Sequence, residues 1–124
     1  MDFDLSAEQK MMLDVTRKFV ERELAPLESA MQEAERAGRY FPDPETTTGL
    51  QLKARQSGLW GLMTPEEYGG ANLGFMLTAL IWMEIARSFV PFQFGGHADN
   101  ILYHCNSAQK ERYLIPTING ERKS

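Results

Sequence analysis

Ser6-Ala-Glu-Gln-Lys-Met-Met-Leu-Asp-Val-Thr-Arg-Lys-Phe19 reads as an amphipathic helix from its first residue. Ser6 with Gln9 three positions on forms a capping box. The hydroxyl accepts a first-turn amide, and the glutamine side chain reaches back to the cap. Met12, Val15 and Phe19 recur at helical spacing, while Lys10, Asp14, Arg17 and Lys18 lie between them. Downstream, Pro26 lacks a donor and crowds the preceding turn, which predicts a kink or break near Ala25. Leu27, Ala30, Met31, Ala34 and Ala37 then continue one apolar face, and Gly38 supplies a stop.

The same period recurs along the chain. Phe41-Pro-Asp-Pro is a loop, because residues before proline avoid helix. A helix is predicted from about Glu45 to Ser57, its start blurred by the β-branched run Thr46–Thr48, with Gly58 as its stop. Gly58 to Gly70 is a connection that plugs Leu59, Trp60, Leu62 and Met63 into the core. Phe75 to Ser88 is apolar nearly all round, which predicts a central helix. Pro91 opens a segment from Phe92 to about Cys105, weakened as a helix by Gly95-Gly96. A last helix starts at Asn106 or Ser107, with Tyr113, Leu114 and Ile118 inward. Strand alternation is absent apart from some ambiguity at Leu59–Met63. The predicted fold is all-α, a bundle of about five or six helices.

A chain of 124 residues fits one domain. With a net charge of −4, nothing here looks like the basic stripe that nucleic-acid binding needs. The apolar run from Met76 to Ile85 is too short to span a bilayer. The single cysteine, Cys105, forbids an intrachain disulfide and suits a reducing compartment. With an acidic rather than basic start at Asp2 and Asp4, a cytoplasmic location is expected.

Chemical signatures are sparse. His97 and His104, seven apart, could share a helix face, but they lack the further ligands of a metal site. Gly69-Gly70 and Gly95-Gly96 are too short to cradle phosphate and are read as turns. Glu66-Glu67 is read as a solvated loop tip. Glu84 on an apolar helix needs a cation, with Arg87 the nearest candidate. Pro91-Phe-Gln-Phe-Gly-Gly-His-Ala-Asp-Asn mixes aromatic, glycine and hydrogen-bonding residues, which suits either a pocket lining or a close helix crossing. The residues alone therefore indicate a soluble helical domain, with a pocket as one reading of this stretch.

Several blocks together resemble the acyl-CoA dehydrogenases. Leu5-Ser-Ala-Glu-Gln-Lys and Phe19-Val-Glu-Arg-Glu-Leu-Ala-Pro are similar to that family's first helix and its proline. Gly58-Leu-Trp-Gly-Leu-Met-Thr-Pro-Glu-Glu-Tyr-Gly-Gly-Ala-Asn-Leu-Gly is similar to its most distinctive N-terminal stretch. Met83-Glu-Ile-Ala-Arg, Asn106-Ser-Ala-Gln-Lys-Glu-Arg-Tyr-Leu-Ile-Pro and Asn119-Gly-Glu follow in the family's order. The resemblance implies that residues 1–124 are the N-terminal helical domain of a three-domain enzyme. The middle β domain and the C-terminal helical domain, which carries the catalytic glutamate, are not in this chain.

The implied reaction is α,β-dehydrogenation of an acyl-CoA. A carboxylate takes the α-proton, and the β-hydride passes to FAD. The implied acceptor is an electron-transfer flavoprotein, and the implied parent is a homodimer or homotetramer. The resemblance gives this domain no catalytic or flavin-binding residue, so tight FAD binding by this chain alone is not expected. It does imply one wall of the acyl pocket, with Gln93, Phe94 and His97 at a helix start at its deep end. Phe94 and His97 are larger than the small or acidic residues often found there. The expectation is a shortened pocket, or one that admits a polar or branched acyl end.

Two other readings accompany this one. The first is a fragment of a related acyl-CoA oxidase or flavin monooxygenase. The second is a free-standing helical interaction module. A free-standing module would close its surface with polar residues, whereas a domain cut from a larger enzyme would leave an apolar face exposed.

Overall fold

Ser6 Oγ accepts from the Gln9 amide at 3.1 Å, and Gln9 Oε1 accepts from the Ser6 amide at 2.9 Å, which starts the first helix as predicted. A computed structural model of the chain describes residues 2–122. Helix α1 spans Ala7–Phe19. Of the kink or break predicted near Ala25, no break occurs: the backbone stays helical through 7–36 and changes pitch at this point. Val20–Leu24 widens into a π-turn in which the Ala25 amide bonds back to the Val20 carbonyl. A 3₁₀ turn, Ala25–Leu27, then leads into α2, Glu28–Arg36. The wider turn precedes the residue that has no amide proton, so the proline is accommodated by a local change of pitch. Gly38 stops the rod at φ +65°.

Helix α3 spans Pro44–Gln56. Its cap is Asp43, whose carboxylate accepts from both the amide and the hydroxyl of Thr46 at 2.9 Å. Pro44 occupies the first turn, where a missing amide proton costs nothing. The connection after α3 buries Leu59, Trp60 and Leu62 as predicted, but Met63 is half exposed. It includes a 3₁₀ turn at Glu66–Tyr68, and both glutamates of that turn are solvated.

Helix α4 spans Phe75–Ile85 and packs chiefly on α1. Leu77, Ile81 and Ile85 face inward. The central position expected of an all-apolar helix is not found. Phe75 is 80% exposed and Met83 67%, so α4 is covered on one side only.

The expected helix from Phe92 to Cys105 is also absent. Residues 91–99 are irregular, and only Asn100–His104 forms a 3₁₀ turn. Val90, Phe92 and Phe94 are buried and alternate with exposed Pro91 and Gln93. This is the burial of an extended segment, not of a helix.

The last helical rod, 107–118, starts from a second capping box between Asn106 and Gln109. It comprises α5 (Ser107–Gln109), a π-turn (Lys110–Leu114) and α6 (Ile115–Ile118). Here again the π-turn precedes a proline, Pro116. Leu114 and Ile118 point inward, whereas Tyr113 is exposed, against expectation. Among the described residues there are four helical rods and no strand. The core joins Phe19, Leu24, Leu50, Leu59, Ile81 and Phe92, with Phe94 also fully packed within it.

Candidate functional site: an open groove beside residues 91–97

Where Pro91–His97 runs past α3, the surface opens into a groove of about 570 Å³. One wall is the loop at Tyr40 and Pro42 with the first turns of α3. The second is the 91–97 segment. The third is the end of the last helix at Thr117, Asn119 and Gly120, with Arg122 beyond it. Trp60 lies where these walls meet.

The 91–97 backbone is held through its carbonyls. Gln51 Nε2 donates to the Gln93 carbonyl at 2.9 Å. The Gly61 amide donates to the Gly95 carbonyl at 2.8 Å. Thr64 Oγ1 donates to the Gly96 carbonyl at 2.6 Å. The glycines make this approach possible. A Cβ on Gly96 would overlap the Gly61 amide and the Trp60 indole, and Gly96 sits at φ +90°. The predicted helix is lost because these carbonyls bond across to α3 and the 58–70 connection rather than along their own chain.

Gln93, Phe94 and His97 all border the groove. Gln93 and His97 have exposed side chains, but Phe94 is only 2% exposed. Its ring lies 5.1 Å from Phe92, 5.2 Å from Trp82 and 6.5 Å from Phe19, centroid to centroid. Phe94 therefore belongs to the core as much as to the groove. His97 precedes the 3₁₀ turn that holds His104, so the two share no helix face. Among the described residues no group of three His, Cys, Asp or Glu side chains is placed to hold a metal.

Sequence reasoning missed Gln51, Trp60, Gly61 and Thr64 as the residues that shape this segment. The Val90-Pro-Phe-Gln-Phe94 alternation was the available signal for an extended backbone. The Asp43-Pro44 pair was the signal for the start of α3.

Electrostatically the groove is mild. Among the described residues, its lining includes Arg122 and His97 but no carboxylate and no thiol. Beside it, Asp43 is held below the usual aspartate range by the Thr46 amide first and the Thr46 hydroxyl second. Glu84 lies apart, on α4. Arg17 Nη2 meets one of its oxygens at 3.0 Å and Arg87 Nη1 the other at 3.3 Å. The hydrogen bond from Arg17 leads in lowering its pKa, against the opposing effect of burial. The groove can thus receive an apolar group and offer it a few polar contacts. None of its described lining residues is a carboxylate that could act as a base.

The model of the acyl-CoA dehydrogenase N-terminal domain matches residues 6–121. The chain belongs to the acyl-CoA dehydrogenase family. It is 35% identical to (R)-benzylsuccinyl-CoA dehydrogenase of Thauera aromatica, over 98% of this chain and 33% of that protein. It is 30% identical to mitochondrial isovaleryl-CoA dehydrogenase of Pongo abelii, over 94% of this chain and 27% of the relative. It is 31% identical to the short-chain specific acyl-CoA dehydrogenase of Clostridium acetobutylicum, over 98% and 31% respectively. The chain thus spans about a third or less of the length of these family members. No solved structure matches it. No helix among the described residues is long and apolar enough to cross a membrane.

Proposed function

We propose that this chain is the N-terminal domain of a larger FAD-dependent acyl-CoA dehydrogenase and supplies one wall of its acyl pocket. The observation that carries the reading is the pinned 91–97 segment. Its backbone is fixed at the carbonyls of Gln93, Gly95 and Gly96, while Gln93 and His97 keep exposed side chains along an open, aromatic-lined groove. Such a wall orients an acyl chain and keeps water from it, and a few placed polar groups discriminate its far end.

The flavin does not fit this chain's own residues. The helix N-terminus beside the groove is already capped by the Asp43 carboxylate, which would repel a pyrophosphate. The redox chemistry and the catalytic base accordingly belong to the remaining domains, and this chain alone is inactive. The apolar outer face of α4 supports the reading, because a free-standing module would cover it with polar side chains. A homodimer or homotetramer is part of the same proposal. An electron-transfer flavoprotein as acceptor enters through family kinship. A cytoplasmic location suits the single unpaired Cys105, and cell fractionation tests it.

A branched or polar acyl end is favoured. The relatives named for isovaleryl-CoA and (R)-benzylsuccinyl-CoA carry branched acyl groups in their names. His97→Ala, Gln93→Ala and Phe94→Leu in the full-length enzyme test the assignment. Each is expected to change the ratio of kcat/KM between branched and straight acyl-CoAs. An unchanged ratio in all three removes these residues from the pocket.

A further inference from the structure

We infer that Trp60 sets the depth of this groove and thereby limits the length of acyl chain it admits. The inference rests on the acyl-groove reading and adds a specificity-determining residue to it. Trp60 borders the groove although it is only 7% exposed, so most of its indole is committed to packing. The indole lies lengthwise along the backbone of Gly95 and Gly96, from its six-membered ring to its pyrrole end. A Cβ on Gly95 would overlap its six-membered ring, and a Cβ on Gly96 its pyrrole edge. Gly120, on the third wall, would place a Cβ 3.4 Å from Cη2. On the α3 side, the Arg55 guanidinium lies 4.6 Å from the ring centroid. A single rigid side chain therefore spaces α3, the 91–97 segment and the 117–120 turn.

The neighbours explain why depth depends on this one residue. Against the ring stand glycines, which have no side chain that could swing into vacated space. Phe92 and Phe94 are occupied elsewhere, in the ring cluster with Phe19. A smaller residue at position 60 thus leaves space along the glycine backbones that Phe92 and Phe94 are not placed to fill, and Arg55, stacked over the ring, would have to desolvate its charge to enter it. That space adjoins the open groove and is not sealed inside the core. Added methylenes of a ligand can occupy it. Each methylene gained or lost in an apolar pocket is worth about 10-fold or more in discrimination.

The test uses the full-length flavoenzyme with Trp60→Phe and Trp60→Leu, assayed on straight-chain acyl-CoAs of increasing length. The expected result is a shift of the kcat/KM optimum toward longer chains. The long-to-short ratio should rise about 10-fold in Trp60→Leu, with Trp60→Phe intermediate. A merely structural role would lower activity on all lengths together and leave the ratio unmoved, which would overturn the inference. Should Trp60→Leu fail to fold, Trp82→Phe leaves Trp60 as the only tryptophan of this domain in its native setting. Excitation transfer from Trp60 to acyl-CoAs bearing a fluorescent acceptor at the acyl terminus should then rise with chain length up to the native limit, and transfer independent of length counts against the proposal. The His97, Gln93 and Phe94 variants separate the two claims. If they move the acyl profile and the Trp60 variants do not, only the role of Trp60 falls. If none of them moves it, the acyl-groove reading falls as well.

Discussion

Gly96 and Gly49 show how differently two glycines serve the same chain. Gly96 holds φ +90° with the Gly61 amide and Trp60 pressed against it. Gly96→Ala should cost about 3 kcal/mol or more, combining a disfavoured backbone with overpacking, and thermal unfolding would show it as a large drop in Tm. Gly49 lies inside α3 with nothing within 4 Å of an added Cβ. Gly49→Ala should stabilise by about 1 kcal/mol through helix propensity, read as a rise in the denaturant midpoint.

Glu84 gives the pH dependence. Its folded pKa lies below the ordinary 4.5 because Arg17 and then Arg87 hold the carboxylate against the cost of burial. In the acid range the unfolded chain therefore binds more protons at this site. The ion pairs contribute stability above the unfolded value, and the contribution is lost as pH falls through the folded one. Glu84→Gln should flatten the decline of Tm below about pH 4.5, and an equal acid slope in both proteins would refute this. Arg87 was legible as a partner because it is three residues away in the chain. Arg17 was not, because only the packing of α1 on α4 brings it near.

At the scale of elements, local chemistry was the most readable. The Ser6 and Asn106 capping boxes form as their residue types require, and Gly38 and Gly120 take the positive φ of helix stops. Ser6→Ala should cost about 1 kcal/mol, measurable by urea denaturation, because α1 carries Phe19 into the core. A break at Pro26 was one of the two outcomes expected, and only the milder one occurs. Pro26 and Pro116 each sit just beyond a π-turn, at Val20–Leu24 and Lys110–Leu114, and the rods continue past them. The helix predicted over 92–105 failed for a different reason. Its glycines were weighed as weak helix formers, whereas they serve close approach to Trp60 and Gly61. Those contacts lie about thirty residues away in the chain, outside the reach of any local period.

For the whole molecule, α4 is the element whose burial was misjudged. An all-apolar helix needs cover on every side, and the described chain covers one. Phe75→Glu with Met83→Glu should change stability by no more than about 0.5 kcal/mol, since both side chains are already exposed. The same pair should reduce binding of a hydrophobic dye and any self-association of the isolated chain, and a large fall in Tm would refute the assigned exposure. The all-α class and the Ser6 cap were determined by the sequence alone, because each depends on residues within a turn or two of one another, and the family blocks were legible from their order along the chain. The groove was decided by tertiary structure. Gln93 and His97 face it, Phe94 packs chiefly in the core and Trp60 stands among its walls, because the carbonyls of Gln93, Gly95 and Gly96 bond to α3 and to the 58–70 connection. Hydrogen bonds between distant segments leave no period in the chain, so only the folded arrangement reveals which side of 91–97 is wall and which is core.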